Sequence, residues 1–520
     1  MDTAAQPNIL FVITDQQRAD HVGFGGNDVV RTPNLDLIAG RGTVFDNAWV
    51  ANPFCMPNRS SILTSRLPSS HGVVFNDRSL DWGATTFVRT LNQAGWRTGL
   101  IGKSHLQHGV SRNAVTPTDR RPVSTTPWPE GWDTLEHFER YENEPPEFPT
   151  DFYGFDHVEL SIDHGSRITG HHLHWALDRG GRYEDLVVPM SSEAPALQRS
   201  KNWWQVYQPP YGPELHSTEF VTDRTINFIR EAAAQSKPWM AFASFPDPHH
   251  PMTPPGDWYR RHNPADIELP STISDPLTNA PQYLQRIAKI TADRQRIWVS
   301  GMGASEHDLV RDAIASTYDL IEFIDDGVGR IVQTIEDLGM TENTIVVFTS
   351  DHGDMMGDHG LLLKGFMHYR GALQVPMVIA APGFDGARSS CLASSVDVGM
   401  TMLDLVGLDS HIGSQGVSLR PILDNPTTAV RETILIEDDF PSADGAATPL
   451  PAKTRTVVAN GLKYTRHSTG DEQLFDLERD TDEMANLAPV DTERKAEAME
   501  LLVDAMIHHS DDARGIPASL

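Results

Sequence analysis

The sequence predicts an α/β fold: a large, mostly parallel sheet sandwiched by helices, with a smaller C-terminal antiparallel sheet plus helix. Three observations carry that expectation. Five short apolar runs read as buried parallel strands, helix signals lie between them, and from about residue 430 the pattern changes to short strands joined by a hairpin signal.

The first run, residues 8–14, ends at Asp15-Gln16. Thr32-Pro33 then opens a helix to Gly40, with proline where its missing N–H costs nothing. A second helix over 85–93 closes at Gly95, and the run 97–102 follows, ending at Lys103-Ser104-His105. From about 107 to 216 the periodicity weakens into a Pro-, Trp- and His-rich stretch that includes Trp203, Trp204 and Tyr207. This reads as inserted loops, which either shape a pocket or pack over the sheet edge. A helix over 219–234 leads to the run 239–245 and then to Pro248-His249-His250-Pro251. A second irregular segment spans about 250–300. In the long helix over 308–338, Ile321, Ile324, Val328, Ile331, Ile335 and Leu338 mark one apolar face. The run 344–350 ends at Asp351-His352-Gly353, and the run 375–381 at Pro382-Gly383. Beyond 430, strands over 455–459 and 462–467 meet at Asn460-Gly461, 473–477 adds another, and a helix over 492–508 covers the sheet. The expected organisation is a catalytic domain over 1–430, with loops inserted near 107–216 and 250–300, and a small α+β subdomain over 431–520.

Composition narrows the function. The chain has 520 residues, 39% hydrophobic and 22% charged, which is globular rather than disordered. Its net charge of −29 repels the phosphate backbone, so nucleic acid is not expected as a partner. A small anionic substrate stays open, because a few cations in a water-poor cleft outweigh a distant, screened surface charge. Residues 1–7 lack a basic and apolar leader and no run approaches a membrane span, so a cytoplasmic protein with no membrane partner is expected. Cys55 and Cys391 are the only cysteines, which rules out a disulfide framework.

In open parallel sheets ligands gather at the carboxyl ends of strands, and four of the five runs deliver ionisable groups there. Cys55-Met56-Pro57-Asn58-Arg59 contains C-x-P-x-R, with Pro57 and Ser60 marking a helix start. Cys55 is then near a helix N-terminus, where exposed amides favour an anion, and Arg59 adds a fork suited to a three-oxygen ester. About 0.01 chance matches to that pattern are expected in a chain of this composition.

This motif resembles that of the sulfatase family of the alkaline phosphatase superfamily. The similarity runs from Asn8-Ile9-Leu10-Phe11 through Gly102-Lys103-Ser104-His105-Leu106 and Ser350-Asp351-His352-Gly353-Asp354 to Gln473-Leu474-Phe475-Asp476-Leu477. The resemblance implies that Cys55 is oxidised to formylglycine by a formylglycine-generating enzyme, with the aldehyde hydrate as nucleophile. It also implies roles for Lys103 and His105 beside that nucleophile and for Lys364 as a second active-site lysine. His249 aids the leaving group, with His250 the competing choice, and Asn76 with Asp77 lines the pocket. Asp15 and Asp351 cap distant strands, and converging carboxylates need a cation. With Gln16, His352 and residue 55 they make a hard oxygen set plus one imidazole, suiting one divalent ion, Ca²⁺ first and Mn²⁺ as the alternative. Gln16 stands where relatives often have a second acid, and His352 where many have Asn. The histidines 164, 171, 172 and 174 are read as pocket or packing groups, and Asp354, Asp358 and His359 as loop-folding ones.

The expected reaction is hydrolysis of aryl or alkyl sulfate monoesters. Phosphonate monoester or phosphodiester hydrolysis by the same nucleophile is the first alternative, because Gln16 and His352 resemble that branch while Lys103-x-His105 resembles the sulfatases. A non-catalytic sulfate- or glycan-binding relative is the second, but such a protein is expected to have lost Cys55, Arg59, Asp351 or Lys364. A phosphatase or mutase using Ser60 or Ser61 would leave the cysteine motif idle. A homo-oligomer through the C-terminal hairpin and helix is compatible with the sequence.

Overall fold

The run Ile9 to Ile13 is fully buried and splits by alternation, Ile9, Phe11 and Ile13 to one side and Leu10 and Val12 to the other. A strand with two apolar faces needs cover on both. In the computed structural model, which describes residues 6–76, 78–107, 130–189, 191–235, 237–290, 301–304, 306–411, 413–439 and 453–509, that strand is central in a nine-stranded sheet. The strands are β1 (Asn8–Thr14), β2 (Thr43–Trp49), β3 (Arg97–Gly102), β4 (His157–Ile162), β5 (Thr169–Gly170), β6 (Trp239–Ser244), β7 (Thr344–Ser350), β8 (Met377–Ala380) and β9 (Ala387–Ser394). Their spatial order is β9-β2-β8-β7-β1-β6-β3-β4-β5.

The helices are α1 (Pro33–Arg41), α2 (Cys55–Thr64), α3 (Phe87–Gln93), α4 (Ser217–Ala233) and α5 (His307–Asp337). On one face Ile62 and Leu63 of α2 and Phe87, Val88 and Leu91 of α3 pack with Ile9, Phe11, Phe242 and Val347. On the other, Leu35 and Ile38 of α1, Phe220, Phe228 and Ile229 of α4, and Ile324, Val328, Ile331 and Ile335 of α5 pack with Leu10, Val12, Ala241 and Phe348. Of the apolar face expected for the long helix, Ile324, Val328, Ile331 and Ile335 face the sheet, whereas Ile321 packs in a separate cluster with Val30 and Trp203 and Leu338 is exposed.

Two expectations are corrected. Residues 375–381 do not form a parallel strand: β8 runs antiparallel to both β7 and β2, because a continuous apolar run signals burial and carries no direction. The 107–216 stretch is not loop alone, since β4 extends the main sheet beside β3. Residues 108–129 and 291–300 of the two irregular segments lie outside the described residues.

At the C-terminal end β10 (Thr433–Asp439), β11 (Lys453–Ala459), β12 (Leu462–His467) and β13 (Glu472–Asp476) form an antiparallel sheet in chain order. Asn460 and Gly461 both have positive φ, 52° and 71°, as a two-residue hairpin turn of matching twist requires. A final helix, α6 (Thr492–His508), sets Ala498, Leu502 and Ala505 against Val457, Tyr464 and Leu474.

The loop after β6 is tied to α5 by charge. His262 Nδ1 lies 2.9 Å from Asp319 Oδ1 and its Nε2 3.3 Å from Glu322 Oε1. Burial alone would lower this imidazole, but hydrogen bonds to the two carboxylates outweigh it and raise it from 6.5 to about 9. A folded-state value above the unfolded one means that the stabilisation is complete below the unfolded pKa and fades as pH rises through the folded one. Thermal unfolding should therefore show the largest deficit of His262→Gln against the parent at about pH 6, narrowing by about pH 10; a deficit that grows with pH would contradict the charge assignment.

Candidate active site

Four adjacent strands, β7, β1, β6 and β3, run parallel and end level, with Thr14 opposite Ser350 and both Ile13 and Gly102 beside Ser244. Their tips open into one crevice. β1 delivers Asp15 and Gln16, β7 delivers Asp351 and His352, β6 leads to His249 and His250, and β3 leads to Lys103. Cys55 arrives as the first residue of α2. Ten residues chosen from sequence, Asp15, Gln16, Cys55, Arg59, Lys103, His105, His249, Asp351, His352 and Lys364, lie on the loops and the first turns of α2 that meet here, and all but half-buried His105 are buried.

Cys55 Sγ lies 3.1 Å from His352 Nε2, 3.3 Å from Lys364 Nζ and 3.8 Å from Asp15 Oδ1. One turn along α2, Arg59 donates from Nε to Asp351 Oδ2 at 2.7 Å and from Nη1 to the Lys103 carbonyl at 3.0 Å and to Ser244 Oγ at 2.8 Å. Its Nη2 is buried without a hydrogen-bond partner, 3.6 Å from Asp15 Oδ2. Lys103 Nζ pairs with the same Asp15 oxygen. Lys364 Nζ donates to Gln16 Oε1 at 2.7 Å, and the Gln16 amide donates in turn to Asp354. Three cations thus face the carboxylates of Asp15, Asp351 and Asp354, close to charge balance.

Electrostatics follow from that packing. Burial and the Asp15 charge would both raise the Cys55 thiol, but Lys103, Lys364 and His352 outweigh them and hold it well below the ordinary thiol range. Burial likewise opposes ionisation of Asp15, and Lys103, His249, His164 and Lys364 reverse the balance, keeping it well below the usual carboxylate range. His105 goes the other way: burial first and Lys103 second push it down to about 3, so the ring is neutral.

The donor chemistry fits a hard divalent cation. Nδ1 of His352 donates to the Gly353 carbonyl at 2.9 Å, which turns the Nε2 lone pair inward, 3.6 Å from Asp15 Oδ1 and 3.5 Å from Asp351 Oδ1. Ligand atoms of Asp15, Cys55, Asp351 and His352 all lie within 4.8 Å of one another, and Gln16 Oε1 accepts from Lys364 Nζ, which itself lies 3.0 Å from His352 Nε2. Asp15, His164 and His249 are equally close-set, but Lys103 Nζ lies against both Asp15 and His164 and fills that position with its own charge.

The extended geometry expected beyond β3 does not persist. Gly102 and His105 have φ of 102° and 56°, and the turn is clamped by Glu136, whose carboxylate accepts the N–H groups of His105, Leu106 and Gln107 at 2.8, 3.0 and 2.9 Å. Glu136 comes from the 107–216 stretch and had no sequence signal, because a single acid in an irregular segment looks like any surface acid. Of the four histidines read as pocket or packing groups, His164 is the one at the site. His171, His172 and His174 do bond within the local fold, but His164 stacks on His249 at 3.8 Å between ring centroids and His249 on His250 at 4.1 Å. Nδ1 of His249 donates to the His250 carbonyl, leaving Nε2 as its free nitrogen. Buried Trp203 from the same stretch lies against His250. Asn76 is half-buried, its Oδ1 accepting the Met56 N–H at 3.0 Å beside Cys55, and Asp77 lies outside the described residues. Asp358 pairs with Arg18 at 2.7 Å and His359 with Asp275 at 2.7 Å, both in loop folding.

Comparison with known proteins agrees with this arrangement. The family model Sulfatase matches residues 7–408, and the model for the C-terminal part of N-sulphoglucosamine sulphohydrolase matches residues 357–511. An arylsulfatase of Clostridium perfringens is 28% identical over 517 residues, covering 96% of this chain and 94% of the relative. A choline-sulfatase of Rhizobium meliloti is 27% identical over 490 residues, covering 94% and 83%. The crystal structure of a phosphonate monoester hydrolase of Agrobacterium radiobacter superposes with a TM-score of 0.75 at 24% identity, covering 98% of this chain and 97% of that one, and so shares the fold.

Proposed function

This chain belongs to the sulfatase family, whose members hydrolyse sulfate esters, and on that premise we propose that it cleaves aryl or alkyl sulfate monoesters to alcohol plus sulfate. In this reading a formylglycine-generating enzyme converts Cys55 to formylglycine, and Asp15, Gln16, Asp351 and His352 hold one divalent cation, Ca²⁺ or Mn²⁺. The observation that carries it is the meeting of Cys55 Sγ, Lys364 Nζ and His352 Nε2 within 3.3 Å in a buried pocket that also holds Arg59 and Lys103.

Once formed, a hydrated aldehyde at residue 55 would supply one oxygen to attack sulfur and a second to expel sulfate by C–O cleavage, and a cation held by Asp15, Gln16, Asp351 and His352 would supply Lewis acidity. The protein's own groups do the rest. Arg59 is fixed by three bonds with Nη2 left over, so it offers a preorganised donor to a sulfuryl oxygen as charge develops. Lys103 screens Asp15 from the anionic ester. Lys364 Nζ is the donor suited to the leaving oxygen, because His249 already commits its Nδ1 proton to a carbonyl and its neutral ring has only a lone pair at Nε2. His105 is neutral and half-buried, with Nδ1 buried and unpartnered, and so offers a lone pair to the proton of the second hydroxyl.

Gln16 and His352 favour a second reading, phosphonate monoester or phosphodiester hydrolysis, and the shared fold supports its geometry. Lys103 and His105 favour the first. Parallel kcat/KM measurements on an aryl sulfate and on phenyl phosphonate decide: the sulfate should be preferred by about tenfold or more, and the reverse ratio overturns the assignment.

A further inference from the structure

The lysine loop is held in a conformation that side chains avoid. Leu363, Gly365 and Phe366 all have positive φ, 70°, 82° and 40°, and Lys364 lies between them. Left-handed backbone at non-glycine residues persists only where the surroundings over-determine it. At Gly365 an added Cβ would stand 2.2 Å from the Phe54 ring, so the loop is pressed against the residue that precedes Cys55. On its near side Asp354 Oδ1 accepts the Leu363 N–H at 2.9 Å. On its far side the acceptor comes from a different sheet.

That acceptor is Asp438 of β10, wholly buried, whose Oδ2 takes the Phe366 N–H at 3.0 Å and lies 3.3 Å from His368 Nε2. The His368 ring is itself set by Thr456 of β11 at 2.7 Å. The preceding residue of β10 grips the other loop: Glu437 N–H donates to the Ala51 carbonyl at 2.9 Å, and its carbonyl accepts from Asn52 Nδ2 at 2.6 Å. Asn52 then accepts the Phe54 N–H at 2.7 Å, one residue before Cys55. Two consecutive residues of one strand therefore hold the nucleophile loop and the lysine loop to a common bar, and Lys364 Nζ ends 3.3 Å from Cys55 Sγ.

We propose that Asp438 is a positioning residue for Lys364 and that β10 of the C-terminal sheet sets the spacing between Lys364 and residue 55. Asp438 touches no reacting atom; it acts by accepting one backbone N–H. Its second oxygen, Oδ1, is buried with no hydrogen-bond partner, so the task calls for an acceptor and not for a full carboxylate. The catalytic consequence rests on the hydrolase reading above, whereas the geometric one does not.

The test compares Asp438→Asn, which keeps an acceptor, with Asp438→Leu, which removes it, each alone and combined with Lys364→Ala, in the full-length enzyme. Asp438→Asn should stay within about threefold of the parent kcat, Asp438→Leu should lose about 30-fold, and in the Lys364→Ala background Asp438→Leu should cost less than about threefold more. An undiminished loss in that background, or equal losses for the Asn and Leu variants, overturns the proposal. Asp438→Ala, which likewise offers no acceptor, replaces the Leu variant if that one does not fold. A crystal structure of Asp438→Leu reads the geometry without turnover: Lys364 displaced from residue 55 supports the proposal and Lys364 unmoved refutes it. A parent enzyme that turns over neither ester sinks the functional reading alone.

Discussion

Cys55→Ser should abolish multiple turnover, lowering kcat by about 10³-fold or more, and should leave a covalent adduct about 80 Da heavier on the variant's side-chain oxygen. The serine oxygen takes the place of Sγ, 3.3 Å from Lys364 Nζ and 3.1 Å from His352 Nε2, where attack on sulfur is assisted as before. It carries no second hydroxyl, so nothing can expel sulfate by C–O cleavage. Release then requires water to reach sulfur in a pocket whose floor residue is 1% exposed. Mass spectrometry of the variant after incubation with an aryl sulfate reads the outcome. Steady turnover at the parent rate would mean that the chemistry does not pass through residue 55.

Removal of the divalent cation should have an effect of the same order. Asp15 and Asp351 are both fully buried and pair with Lys103 and Arg59, two groups placed to receive the ester's anionic oxygens. Chelation should remove the Lewis acid, lowering kcat/KM by about 10³-fold, with recovery on adding Ca²⁺ or Mn²⁺. A ligand that binds only the native state also raises its melting temperature, so the chelated protein should melt lower and recover with the ion. Asp351→Asn should abolish that thermal response, because it replaces both a ligand oxygen and the partner of Arg59 Nε. Full activity in chelator would remove the cation from the mechanism.

The legibility of this protein follows what each signal measures. Apolar runs report burial, so the strands around Phe11, Phe242 and Phe348 were plain, and with them the crevice at their tips. Direction is not in such a run, which is why β8 was expected to be parallel. β2 and β9 escaped because their polar positions, Asp46 and Asn47 in one and Ser389 and Ser390 in the other, break the pattern at the sheet's edge region. β10 escaped with them, although its residues 437 and 438 meet the site. The site was legible where a residue follows a strand, as Asp15 and Asp351 do, or belongs to a dense motif, as Cys55 and Arg59 do. Glu136, His164 and Asp438 were not, since each reaches the site through tertiary placement from a segment with no motif of its own.

The same rule separates substrate-facing groups from supporting ones. Lys103, Lys364 and Arg59 bring side-chain nitrogens to the crevice, whereas Glu136 and Asp438 accept backbone N–H groups behind it. Retention of Cys55, Arg59, Asp351 and Lys364 in one buried cluster argues against a purely binding role, because a sulfate-binding protein has no use for a cysteine packed against a lysine and two carboxylates. Ser60 and Ser61 are buried within α2, with Ser61 Oγ bonded to His71 at 2.9 Å, which leaves neither as the nucleophile.

Whether residue 55 works as an oxidised cysteine in this crevice is read from the mass of the peptide that contains it. Active enzyme should give a peptide about 18 Da lighter than the unmodified cysteine form, the difference between a thiol side chain and an aldehyde. An unmodified thiol at residue 55 in protein that hydrolyses the ester at full rate would contradict it.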